Sequence, residues 1–303
     1  MRSNWCRFCP LLFILMIVFL GCYSQPPLVS VPSEFAADLD PSSPTSTVKL
    51  IFIHHSTGEN WLRDDYGELG TALMNNNYYV SDTNYGWGSN SIGDRTDIPD
   101  WIEWFNSANS DTYMNDLFKE FGQNSEYSRL SADPGGENEI VMFKACFPNS
   151  NLEGNPDDPP DPEGWLTVGH ARWVYNQILD TFQTHPDKLF VVITAPPVTD
   201  SIYGANARAF NNWLVNNWLE ENYYPLSNVA VFDFYNVLTH RDAHHMFNNT
   251  SGRVEHTVVP GHDTLNYSSG GGDDHPNQAG SRKATEEFLP LLNIFYNRWQ
   301  AGG

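Results

Sequence analysis

The chain is short of basic residues: 16 Lys and Arg stand against 37 Asp and Glu, a formal charge of −21 in 303 residues. Such a surface repels a polyanion, because nucleic-acid affinity comes largely from neutralised phosphates, so no nucleic-acid partner is expected. Cysteine is scarce as well. Cys6, Cys9 and Cys22 fall in the first 22 residues and Cys146 stands alone, which leaves no disulfide framework. Cys146 is expected to be a buried thiol at a strand end, packing as a small hydrophobe. The apolar run over residues 11–20 is too short to span a bilayer. What remains, 40% hydrophobic and 14% aromatic residues, is ample for a core of one large or two small domains.

Arg2 and Arg7 precede that apolar run, which ends in Gly21-Cys22, the pattern of an export leader. Val18-Phe-Leu-Gly-Cys22 resembles a bacterial lipoprotein cleavage box, with Phe19 departing from the small aliphatic residue usual there. The resemblance implies lipidation of Cys22 and an exported protein held at the cell envelope by its N-terminal lipid, with plain secretion or a periplasmic location as the alternative. Residues 1–22 are therefore set apart as a signal segment. Residues 23–46, rich in Pro, Ser and Thr, read as a tether, and residues 47–303 as the folded domain.

Within that domain, apolar runs of strand length at 48–53, 78–80, 140–145, 189–194 and 229–232 alternate with segments of helical period. Ala171, Val174, Tyr175, Ile178, Leu179 and Phe182 form one such helical face, and Ala284, Phe288, Leu291, Leu292 and Phe295 another. This alternation predicts a three-layer α/β/α fold around a mainly parallel five-stranded sheet. Ligands of such sheets bind at the carboxyl ends of the strands. Ser56 lies three residues beyond the first strand, Asn149 a similar distance beyond the third, and His275 just before the last helix.

A serine, a histidine and a carboxylate are the parts of a hydrolytic triad. The serine hydroxyl is a weak nucleophile until a base takes its proton, and a carboxylate fixes the tautomer and orientation of that base. Ile51-Phe-Ile-His-His-Ser56 and Asp273-Asp-His275-Pro-Asn-Gln-Ala-Gly280 supply them. On these segments the chain resembles the SGNH or GDSL hydrolases, a family of esterases and lipases. His275-Pro-Asn-Gln-Ala-Gly280 is similar to the family's C-terminal block. Ile51 to Ser56 stands in the place of its first block, with His-His where the family has Gly-Asp. Val191 to Pro197 and Asn206 to Leu214 resemble a strand and helix of the family.

The resemblance implies Ser56 as nucleophile, His275 as base and an aspartate as its partner. The family's aspartate position is occupied by Gly272, so Asp273 is preferred and Asp274 is the other candidate. It also implies an oxyanion site built from the Ser56 N–H, a glycine N–H and an asparagine amide. Gly86 and Asn149 are the choices, with Gly88 and Asn151 behind them. The expected substrate is a small acyl ester, first among them an acylated carbohydrate. No cofactor and no resident metal are expected.

Plainer readings stand beside these. Ser56 followed by Glu59 also fits a capping box, the two glycines fit turns, and Asn149 fits a Pro-Asn turn. Trp87, Trp101 and Trp104 suit a sugar-binding floor or simple burial. The acidic loop 155–163 fits a solvated insertion better than a calcium loop. Two rival functions follow: a non-catalytic glycan- or protein-binding surface lipoprotein, and a metal-dependent hydrolase using His54, His55, His244, His245 or His262.

Overall fold

The computed structural model describes residues 39–302. The leader, Cys22 and the first part of the tether lie outside the described residues. The five apolar runs form parallel strands β1 (Val48–Ile53), β2 (Tyr78–Thr83), β3 (Ile140–Lys144), β4 (Leu189–Ile193) and β5 (Val229–Phe232) in the order β2-β1-β3-β4-β5. Every residue of the first four strands is buried, as a sheet covered on both faces requires.

Helices α1 (Ser56–Leu62) and α2 (Leu69–Asn75) follow β1, and α3 (Trp101–Phe105) and α4 (Ser110–Lys119) follow β2. α5 (Val168–Thr184) follows β3, and α6 (Gly204–Asn216) and α7 (Trp218–Glu221) follow β4. α8 (Phe234–Thr239) follows β5, and α9 (Gln278–Gly302) ends the chain's described part. Because side chains alternate along a strand, Ile51, Ile53, Val141, Phe143 and Val192 pack under α3 to α7, while Leu50, Phe52, Met142, Val191 and Phe232 pack under α1, α2, α8 and α9. The architecture is the expected three-layer α/β/α sandwich. Trp101 and Trp104 are fully buried in the first of these clusters, so they are core and not a sugar floor.

The strand order reverses between β1 and β3. Chain leaving the carboxyl ends of these two strands diverges to opposite faces, which opens a crevice between them. α1 starts at one lip of it. Gly58 allows α1 to lie close on the strand end, since a Cβ there would stand 2.4 Å from the Cβ of His54. Gly58→Ala is expected to push α1 off β1, cost about 1–3 kcal/mol of stability and displace Ser56. A thermal melt within 1 °C of wild type would contradict this packing.

Two differences from the sequence reading concern the ends and edges. The tether was expected to run to residue 46, but the carbonyls of Asp40 and Ser42 accept from Asn297, that of Pro41 from Asn293 and that of Pro44 from Asn77. The folded body thus begins before residue 47, because amides on α9 and the α2–β2 turn supply donors that composition does not reveal. A second sheet, the antiparallel hairpin β6 (His244–Asn248) and β7 (Arg253–Thr257), also went unpredicted. Its strands are rich in His, Asn and charge, and carry no apolar run.

Buried polar groups hold that hairpin to the body. The Asp233 N–H donates to His245 Nδ1 (2.9 Å), and His256 Nε2 meets the Asp233 carboxylate at 2.8 Å. Burial, helped by the neighbouring charge of His256 and only partly opposed by Asp233, pushes the pKa of His245 down to about 3. The folded ring therefore stays neutral where the unfolded ring, with its ordinary value of 6.5, takes a proton. Stability from this residue is complete above that value and falls as pH drops toward 3, by about 1.4 kcal/mol per pH unit. Urea denaturation is expected to show a loss of about 2 kcal/mol between pH 7 and pH 5, and a midpoint unchanged over that interval would contradict it. Asp233 acts in a lower window. Burial works to raise its pKa, but His256, Arg208 and the Asn236 N–H outweigh burial and hold it at about 2, so its contribution is lost only as pH falls from its ordinary value toward 2.

Candidate active site

β1 ends at Ile53, and His54, His55 and Ser56 carry the chain into α1. His54 points into the body: its Nε2 lies 3.1 Å from Asp82 Oδ2 and its Nδ1 2.8 Å from the carbonyl of His55. Burial works to raise the pKa of Asp82, yet His54, Ser125 and the Asn124 N–H together keep it below the ordinary carboxylate value. His55 turns the other way, bonds to the carbonyl of Gly93 and stacks on Tyr85 with ring centroids 4.5 Å apart. Its pKa is lowered, first by burial. The two histidines are thus packing and hydrogen-bonding groups that fix the turn from which Ser56 projects.

Ser56 is the first residue of α1, and His55 is its cap. The capping-box reading therefore fails on geometry: Glu59 accepts from Asn84, and the Ser56 hydroxyl is turned away from the helix. Ser56 Oγ lies 2.8 Å from His275 Nε2, across 219 residues of sequence.

The segment before α9 explains how His275 is held. The Asn277 side chain caps the helix by accepting the Gly280 N–H (3.1 Å), and its Nδ2 donates to the Ser268 carbonyl. Gly280 sits against Tyr267, where a Cβ would approach to 2.5 Å. Tyr66 donates to the Pro276 carbonyl at 2.9 Å. His275-Pro-Asn-Gln-Ala-Gly280 is therefore a helix start locked from both sides, with the imidazole free to face β1. The Phe147 ring meets it edge to face at 5.0 Å.

Of the two aspartates, Asp273 faces the imidazole. Its Oδ1 is 2.7 Å from His275 Nδ1 and also accepts the His275 N–H at 3.0 Å. Those two hydrogen bonds, the backbone one first, lower its pKa despite its exposure. Asp274 turns aside and takes the N–H and hydroxyl of Thr199, both at 2.7 Å. Ser56, His275 and Asp273 thus form one continuous line of hydrogen bonds from hydroxyl to carboxylate.

The expected oxyanion donors are arranged differently. The Gly86 N–H donates to Asp94 Oδ1. Asn149 is buried and fully engaged: its Oδ1 accepts from Ile98 N at 2.7 Å, and its Nδ2 donates to Asp97 Oδ1 at 2.7 Å and to the Cys146 carbonyl. In this arrangement both donors serve to tie loops to aspartates, and Asn149 fixes the turn after β3 to the segment before α3. The remaining expected donor, the Ser56 N–H, has only a long 3.4 Å contact to the Tyr85 hydroxyl. Gly88 has a positive φ and its carbonyl accepts from Ser91, as a turn residue does.

Two features at this crevice escaped the sequence reading. Tyr85, 57% exposed, lies over the Ser56 amide; an aromatic after a strand gives no signal of its own. Lys144, the last residue of β3, is wholly buried and reaches Thr57, the residue after Ser56. Cys146 is buried and free as expected, with its Sγ 3.9 Å from Ser56 Oγ.

Elsewhere, among the described residues no three His, Cys, Asp or Glu side chains are grouped to share a cation. His240-Arg-Asp-Ala-His244 has a ligand-pair spacing that works on a continuous helix, but α8 ends at Thr239. His244 pairs with Glu287 at 2.7 Å instead. The loop 155–163 is organised by Asn155, Asp158 and by Arg172, which donates to the carbonyls of Pro156 and Asp158.

No family model and no curated protein sequence matches the chain. Among solved structures, a carbohydrate esterase family 2 enzyme with a carbohydrate-binding domain from Corynascus thermopiles (Myceliophthora fergusii) is similar at 13% identity, with a TM-score of 0.38 over 84% of this chain and 68% of that one. A family two carbohydrate esterase from Cellvibrio japonicus is similar at 12% identity, with a TM-score of 0.36 over 85% of this chain and 64% of that one.

Proposed function

We propose that this chain is a serine ester hydrolase. The observation that carries the reading is the 2.8 Å contact between Ser56 Oγ and His275 Nε2, continued to Asp273 at 2.7 Å. In the first half-reaction His275 takes the Ser56 proton as Oγ attacks the ester carbonyl. The tetrahedral intermediate then collapses, the C–O bond to the alcohol breaks, and His275 returns the proton to the departing alcohol oxygen. Water repeats the sequence on the acyl-serine, giving the free acid and the original hydroxyl. The Ser56 N–H is the expected donor to the oxyanion.

The substrate proposed is a small acyl group on a carbohydrate. Tyr85 supports it: a half-exposed ring stacked on His55 beside the nucleophile offers a flat face of the kind on which sugar rings rest. A panel of acetylated sugars is expected to show turnover by residues 23–303 that disappears in Ser56→Ala. Hydrolysis retained by that variant would refute the serine mechanism. Export and lipid anchoring through Cys22 are proposed from the leader alone, and Cys22→Ala is expected to move the protein from the envelope fraction to the soluble one.

The rival binding role draws on the engagement of Gly86 with Asp94 and of Asn149 with Asp97. A protein that bound acetylated sugars without hydrolysing them, and failed to react with a fluorophosphonate, would favour it.

A further inference from the structure

Among the described residues, Lys144 is a wholly buried charge at the end of β3. It has the parity of Ile140 and Met142, which face the α1 and α9 layer, so its side chain runs beneath α1. It is 0% exposed, and among the described residues it has no carboxylate partner. A buried ammonium without a counter-ion carries a large desolvation cost, and apolar residues of similar volume are often more stable in such places. Burial pushes its pKa down to about 8, opposed only in part by the neighbouring Cys146.

One of its two hydrogen bonds leads to the nucleophile's neighbour, Thr57. Nζ donates to the Thr57 hydroxyl and, at 3.1 Å, to the carbonyl of Ala145. Thr57 Oγ1 lies 3.6 Å from Cys146 Sγ, which lies 3.9 Å from Ser56 Oγ. The lysine charge also reaches the top of β1, where, after burial, it is among the influences that lower the pKa of His55. Asp94 and Asp97 hold the Gly86 N–H and the Asn149 amide, so the place where a second oxyanion donor was expected has none to spare.

We propose that Lys144 is a positioning residue for the hydrolytic step: its buried ammonium clamps the Thr57 hydroxyl and the first turn of α1, and sets a fixed positive charge below the Ser56 amide where the oxyanion forms. This rests on the serine hydrolase reading. The proposed chemistry makes negative charge twice, once in each tetrahedral intermediate, in a protein that is itself strongly acidic. A cation held in a dry site acts on such charge far more strongly than one in water and needs no reorganisation during the reaction.

The test compares Lys144→Met with wild type on an acetylated sugar, after wild-type turnover and its loss in Ser56→Ala have been established. Absence of wild-type turnover, or turnover retained in Ser56→Ala, refutes the hydrolase reading at that first stage, while a failure at the second stage refutes only this inference. Lys144→Met is expected to melt at or above the wild-type temperature, because an unpaired charge gives way to an apolar chain of like shape. It is also expected to lower kcat by about 10- to 100-fold with KM within about twofold, and to slow fluorophosphonate labelling by a similar factor. A kcat within about threefold of wild type in a folded Lys144→Met protein overturns the proposal, as does a loss carried wholly by KM. Should that variant not fold, Thr57→Val, which removes the clamped hydroxyl, is read instead: a lowered kcat at constant KM supports the clamp, and an unchanged kcat overturns it.

Discussion

Ser56→Ala is expected to reduce ester hydrolysis by about four to six orders of magnitude while leaving the melting temperature close to wild type. The size follows from chemistry: with the hydroxyl gone there is no acyl-enzyme, and only binding and residual oxyanion stabilisation remain. The absence of a stability effect follows from the structure. Ser56 Oγ does not cap α1, because His55 occupies the cap position and the hydroxyl faces His275 and the Cys146 thiol. A serine kept for its capping bond would show the opposite pattern, a loss of about 1 kcal/mol in stability with activity preserved. Measuring melting temperature and turnover on the same preparation separates the two.

Asp273→Asn carries the second largest expected effect, about two to four orders of magnitude in kcat. Its Oδ1 takes both the ring Nδ1 and the backbone N–H of His275, so it fixes the tautomer that leaves Nε2 ready to accept the Ser56 proton. An amide can keep the shape but not the charge, and it can present the wrong hydrogen to the ring. Asp273 is half exposed, with its side chain at 51%, so water screens its charge and favours the lower end of that range. Asp274→Asn, one residue on, is the matched control. Its carboxylate is committed to Thr199, and turnover is expected to stay within about threefold of wild type. Equal losses in the two variants would contradict the assignment of Asp273.

How much of this was visible in the sequence differs by residue. The five sheet strands were legible because a parallel strand buried on both faces must be a continuous apolar run, and 48–53 and 229–232 are the bounds of β1 and β5 as found. β2 was read short because Ser81, Asp82 and Thr83 look like a loop. They are buried strand residues: the Asp82 carboxylate is met by Ser125, Tyr127 and His54, while the Ser81 and Thr83 hydroxyls have no side-chain hydrogen-bond partner among the described residues. The convergence of Ser56 with His275 was legible too, since a parallel sheet brings its carboxyl ends to one rim, and the structure joins those side chains; their catalytic use is the proposal above.

The donors were another matter. Gly86 and Asn149 hold their places in a family pattern, but which acceptors lie near them depends on Asp94 and Asp97 in loops whose paths no periodicity encodes. The hairpin of β6 and β7 was hidden for a related reason. It is held by buried side-chain pairs such as His256 with Asp233, and its apolar contact is a single cross-strand pair, Phe247 and Val254, too little for a periodic signal. Lys144 falls inside the apolar run 140–145, where a single charged residue gives no sign of whether its side chain is buried or solvated.

Intact-mass and peptide analysis after reaction with a fluorophosphonate tests the central claim most directly. The account predicts one phosphonyl adduct per chain, carried on the peptide that contains Ser56 and lost in both Ser56→Ala and His275→Ala. A folded wild-type protein that takes up no adduct, or takes it up on another residue, would contradict it.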